Sequence, residues 1–143
     1  MGNATSAEPI THPVPDFLNK KQIGEWILGA PITGFKQITC KCRNGKYEYF
    51  TAQVTVPRGA FVIRPEIDGR YVPSDKLRTN EYKIEKIFQN LFFEEPVECF
   101  SNHDPGFKYK EGETYKVDYD RNLSRECTRG LHFFLTKKEA DDY

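Results

Sequence analysis

The chain has 143 residues, and its 21 basic side chains are balanced by 21 acidic ones. That length fits one domain, and zero net charge leaves no cationic surplus for non-specific nucleic-acid binding. No stretch approaches the roughly 20 apolar residues of a membrane-spanning helix, and with eight Tyr and eleven Phe the hydrophobic content sits in few, large side chains.

Residues 1–15 read as an extended N-terminal arm, small and polar, with Pro9, Pro13 and Pro15 opposing regular structure. Met1-Gly2-Asn3-Ala4-Thr5-Ser6 fits the N-myristoylation pattern, in which Gly2 becomes the lipid acceptor once Met1 is removed. One myristoyl chain holds a bilayer at only about 10⁴ per molar, and Lys20 and Lys21 make no basic cluster, so membrane contact through Gly2 is expected to be reversible. No secretory signal is visible, and four cysteines are too few for a disulfide scaffold, so free thiols in host cytoplasm or a virion are expected.

A globular domain is expected over 16–143. Asp16 caps a predicted helix in which Phe17, Leu18, Ile23, Trp26 and Ile27 recur at helical spacing until Gly29-Ala30-Pro31. From Gln37 the period falls to two, and Asn44-Gly45 signals a hairpin whose two-residue loop would set Cys40 opposite Tyr49. That register conflicts with itself: Cys40 and Cys42 then lie on one face, while Phe50, Ala52, Val54 and Val56 lie on the other. Either both faces are partly buried or a bulge swaps the sides.

Pro57-Arg58-Gly59 breaks the strand and Ala60 to Arg64 resumes it. Asp68-Gly69 and Pro73-Ser74-Asp75 mark turns. Tyr82 to Phe93 fits strand or helix, Val97 to Phe100 a short strand, and Phe107 to Tyr119 a second hairpin around Lys110-Glu111-Gly112-Glu113. Leu131 to Leu135 is an apolar strand. Thr136, with Glu139 completing a capping box, starts a last helix. The fold class is α+β, mostly antiparallel strands with a short helix near each end.

Cys40-x-Cys42, Cys99-x₃-His103 and Cys127-x₄-His132 offer soft metal ligands, but one-residue spacing on a strand lacks a knuckle turn. Free cysteines packing as small hydrophobes are expected instead, with no metal and no cofactor. Cys127 with His132 or His103 has the residue types of a nucleophile and its base, yet His132 between Leu131 and Phe133 reads as structural. There is no glycine-rich phosphate loop, and the tyrosines suit sheet packing better than base stacking at this charge.

Three stretches carry a resemblance: Val54 to Ala60, Asp75 to Ile87 with its Lys-x-Arg element, and Phe107 to Gly112 together with Glu126 to Thr136. They are similar to an uncharacterised domain family of large DNA viruses and phages, often found beside pentapeptide repeats. The resemblance favours strand for Tyr82 to Ile87 and implies a viral accessory or virion-associated role with a protein partner. It departs at Leu77, where the family usually has Cys, and leaves the first 36 residues without a counterpart. The segment Gly130-x-His132-Phe133-Phe134-x-Thr136 also resembles the strand-then-helix part of ADP-ribosyltransferase-like folds. That alternative implies an NAD-binding enzyme with Gly130, His132, Phe133 and Thr136 facing the cofactor. No matching glutamate on a separate strand accompanies it.

Overall fold

The computed structural model describes residues 12–143, so Gly2 and most of the predicted arm lie outside the described residues. The fold is antiparallel β throughout rather than α+β. Its two helices, α1 (Asp16–Asn19) and α2 (Lys137–Asp141), have four and five residues. The predicted first helix stops at Asn19 because Lys21 turns at φ 53. Gly24–Ile27 instead forms β1, whose Trp26 opposes Val62 and stacks on Phe17 at 4.7 Å. A short amphipathic segment interrupted by Gly24 is marginal as a helix, and strand pairing overrides its periodicity.

The remaining strands are β2 (Ile32–Cys42), β3 (Tyr47–Val56), β4 (Phe61–Arg64), β5 (Leu77–Thr79), β6 (Glu81–Ile87), β7 (Pro96–Phe100), β8 (Lys108–Tyr109), β9 (Thr114–Lys116) and β10 (Leu131–Phe133). Four make a small sheet, β1-β4-β5-β10, and six a large one, β8-β7-β2-β3-β6-β9. Phe35 and Phe134 exchange both backbone hydrogen bonds, at 2.8 and 2.7 Å, which stitches the end of β10 to β2. One cluster of buried side chains draws on both sheets, with Ile38, Val54 and Ile84 from the large one and Val62, Leu77 and Phe133 from the small.

The first hairpin forms one residue out of the expected register. Thr39 opposes Tyr49 and Cys40 opposes Glu48, because the loop is Arg43-Asn44-Gly45 with Gly45 at φ 86. The Cys42 and Gly45 amides donate to Lys46 and Cys42 carbonyls across this three-residue turn. The slip resolves the conflict of faces. Ile32, Ile38, Cys40 and Cys42 now share a row with Phe50, Ala52, Val54 and Val56, all buried.

The second hairpin does not form as expected. β8 pairs with β7 and β9 with β6, at opposite ends of the sheet order, although only residues 110–113 separate them. The sheet therefore rolls up until its edges meet through aromatic side chains, with Tyr109 and Tyr115 at 5.3 Å and the Tyr82 hydroxyl 3.3 Å from that of Tyr109.

Free thiols throughout are also corrected. β7 lies beside β2 with Cys99 directly opposite Cys40, and the two form a disulfide, leaving Cys42 buried and Cys127 exposed as thiols. In contrast, Thr136 caps α2 as expected, its hydroxyl accepting from the Glu139 amide at 3.1 Å.

Candidate functional site

Strand β2 carries one exception in its core-facing row. Between Gly34 and Ile38 stands Lys36, opposite Ala52. Its ammonium donates to the His132 carbonyl at 3.2 Å, and no carboxylate pairs with it among the described residues. Burial, then the nearby Lys76, lower its pKa from 10.5 to about 8.

His132 reaches the same place from β10, where it opposes Arg78 of β5. Burial first, then the positive charges of Lys36, Lys76, Arg78 and His103, push its pKa down to about 3. The ring is neutral at physiological pH, and its Nε2 is buried with no hydrogen-bond partner among the described residues. Lys76, just before β5, is 7% exposed and donates to the Tyr143 hydroxyl at 2.8 Å. It too has no carboxylate partner among the described residues.

Arg78 supplies the frame. Fully buried, it donates to the carbonyls of Asp120, Asn122 and Arg125 at 2.9, 2.8 and 2.7 Å, fixing the segment before β10. Gly130 allows this: at φ +144, an added Cβ would lie 2.7 Å from Arg78 Cγ. Gly34 plays a similar part across the seam, where a Cβ would come within 2.4 Å of the Phe133 ring.

Two cavities share lining residues at this cluster. A narrow one of about 30 Å³ is lined by Lys36, Lys76, Asn102, His132 and Tyr143 among others. A wider one of about 390 Å³ shares Lys36, His103 and His132 with it and continues past Phe107, Val117 and Leu131 to Cys127. Cys127, His103 and His132 thus border a common space, although Cys127 makes no hydrogen bond with either imidazole in the structure. Among the described residues no group of three or more His, Cys, Asp or Glu side chains is placed to hold a metal ion.

The four residues matched to an NAD pocket are dispersed. Gly130 and His132 border the wide cavity, Phe133 is fully buried in the core, and Thr136 caps α2. Sequence reasoning singled out His132 and marked Lys76 only as part of the Lys-x-Arg element, and it missed Lys36. The available signal was a lysine in phase with Ile32 and Ile38, which the wrong hairpin register concealed.

A second feature lies on the loop between β6 and β7. Leu91 and Phe92 are 98% and 94% exposed, and with Tyr49, 63% exposed, they border one shallow depression. Phe93 turns inward onto Phe50 at 5.7 Å, which anchors the loop.

The family of unknown function DUF5758 matches residues 21–140. The chain belongs to that family. It is also similar to an uncharacterised protein of Acanthamoeba polyphaga mimivirus, 30% identical over 148 residues that cover 90% of this chain and 94% of that one. Both findings support an uncharacterised viral protein of unknown function. No solved structure matches. The DUF5758 match starts inside the 36 residues expected to lack a counterpart and takes in β1 and Lys36. Two of the stretches that carried the resemblance turn out to be neighbours in space, because β5 and β10 pair and bring Arg78 against His132.

Proposed function

We propose that this protein is a non-enzymatic viral accessory domain that binds a partner protein through the β6–β7 loop. The observation that carries the reading is the near-complete exposure of Leu91 and Phe92 on a loop anchored from behind by Phe93. Large apolar side chains held outward in this way gain free energy only when another surface covers them. The partner offers an apolar groove for the two side chains. Its rim is basic, facing Glu94, which is exposed and has no ion pair among the described residues. The virion is the proposed setting, and a myristoyl group on Gly2 would add reversible membrane contact.

The test is the double variant Leu91→Asp with Phe92→Asp, together with a photo-crosslinking residue at position 92 of the otherwise unaltered chain. The expected result is one dominant viral crosslink, lost in the double variant while the melting temperature stays unchanged. Unaltered association of the folded double variant would overturn the proposal. Intact mass after expression in eukaryotic cells checks the lipid: an unmodified or acetylated Gly2 removes that part alone.

A further inference from the structure

Folding places Lys36 in a row of buried apolar side chains and gives its ammonium a single acceptor among the described residues, the His132 carbonyl. An ammonium has three N–H donors. Lys76 stands at the same narrow cavity, and the His132 ring lines it as well. Two cations without carboxylate partners among the described residues are costly in a partly buried site unless an anion joins them. The narrow cavity suits one small group, since a water needs roughly 10–15 Å³. The neighbouring wider cavity shares Lys36 and His132 and is walled largely by Phe107, Val117 and Leu131, with Asp104 and Asp118 also on its lining.

We propose that these two neighbouring cavities together bind an organic anion, with its carboxylate or phosphate group between Lys36 and Lys76 and its apolar body against Phe107 and Leu131. Anionic oxygens reward charged donors with short, strong hydrogen bonds, whereas the wider cavity contributes by burying carbon. The site is separate from the β6–β7 loop, so either proposal stands if the other fails.

The experiment titrates the full chain with phenyl phosphate, benzoate, inorganic phosphate and the neutral benzyl alcohol. Binding is followed by amide and imidazole chemical shifts. The rate of Lys36 acetylation, located by peptide mass, is followed in parallel and needs no variant. Saturable binding of phenyl phosphate or benzoate is expected, with Lys36 modification slowed at least about tenfold at saturation. The tighter of the two aromatic anions assigns the head group. Inorganic phosphate should bind about tenfold more weakly than phenyl phosphate, for want of a body to bury. In folded Lys76→Gln, affinity for the aromatic anion should fall about tenfold. No saturable binding by either aromatic anion at millimolar concentration would overturn the proposal. So would equal binding of benzyl alcohol, or undiminished binding in Lys76→Gln. Equal affinities for inorganic and phenyl phosphate would overturn the part assigned to the aromatic cavity.

Discussion

The Lys36 ammonium donates to the His132 main-chain carbonyl across the seam between the two sheets, at 3.2 Å. A carbonyl offers only part of a counter-charge. Lys36 therefore remains a cost to the fold.

Removing that cost should be visible. Lys36→Met keeps an unbranched, flexible side chain one atom shorter and should stabilise the fold at pH 7 by about 1 kcal/mol. In the native protein the Lys36 pKa is lowered by burial and by Lys76, with Cys127 acting in the opposite direction. Between about 8 and the ordinary 10.5 the unfolded chain holds more protons, so this group makes stability rise with pH across that window. Urea unfolding at several pH values should show the wild type gaining stability relative to the variant across that window, the difference removing the opposing titration of Cys42 and the buried tyrosines.

His132 gives a second window on the acid side. It stays neutral in the fold, facing Lys36, Lys76, Arg78 and His103, while the unfolded imidazole takes up a proton near pH 6.5. Its contribution is thus complete above that value and is lost as pH falls toward about 3. The difference in unfolding free energy between wild type and His132→Gln should shrink over this interval. A constant difference would show that the imidazole titrates alike in both states.

Arg78→Lys should cost about 3 kcal/mol, because one ammonium cannot reach three carbonyls that a planar guanidinium spans. Amide exchange should quicken first across residues 119–126.

Gly130→Ala should cost about 2 kcal/mol, through crowding against Arg78 and a backbone angle that disfavours a side chain. Thermal unfolding measures it. A neutral result would mean that the Arg78 stem yields without loss.

The cysteine pairing is checked by alkylation. The native protein should react at Cys127, the denatured unreduced protein also at Cys42, and all four only after reduction. Because the bridge closes a loop with a sequence separation of 59, reduction should lower stability by about 4 kcal/mol if the native geometry is relaxed.

Much of the strand content was legible because alternation is local. β4, β7 and the capped α2 fall where turn residues and hydroxyl caps put them. What misled was non-local. Trp26 obeys helical spacing yet pairs with Val62, 36 residues away in the chain, a partner that no window of local sequence contains. Tyr109 and Tyr115 look like hairpin partners, yet each strand finds a different neighbour before the rolled sheet brings them together. The site was hidden by a single residue: with Asn44-Gly45 taken as a two-residue loop, Lys36 shares no row with the apolar face of β3. His132 stood out for its surroundings in sequence, but the burial that chiefly holds it neutral and the cations that add to it, from β2 and the approach to β5, are set by tertiary packing.

The turn at Arg43–Gly45 also constrains descent. Strands alternate with a period of two, so losing or gaining one residue there would swap which half of β3 faces the interior. Homologous chains should tolerate changes of loop length at this corner in even steps, and an odd step should be accompanied by a compensating bulge elsewhere on the same ladder.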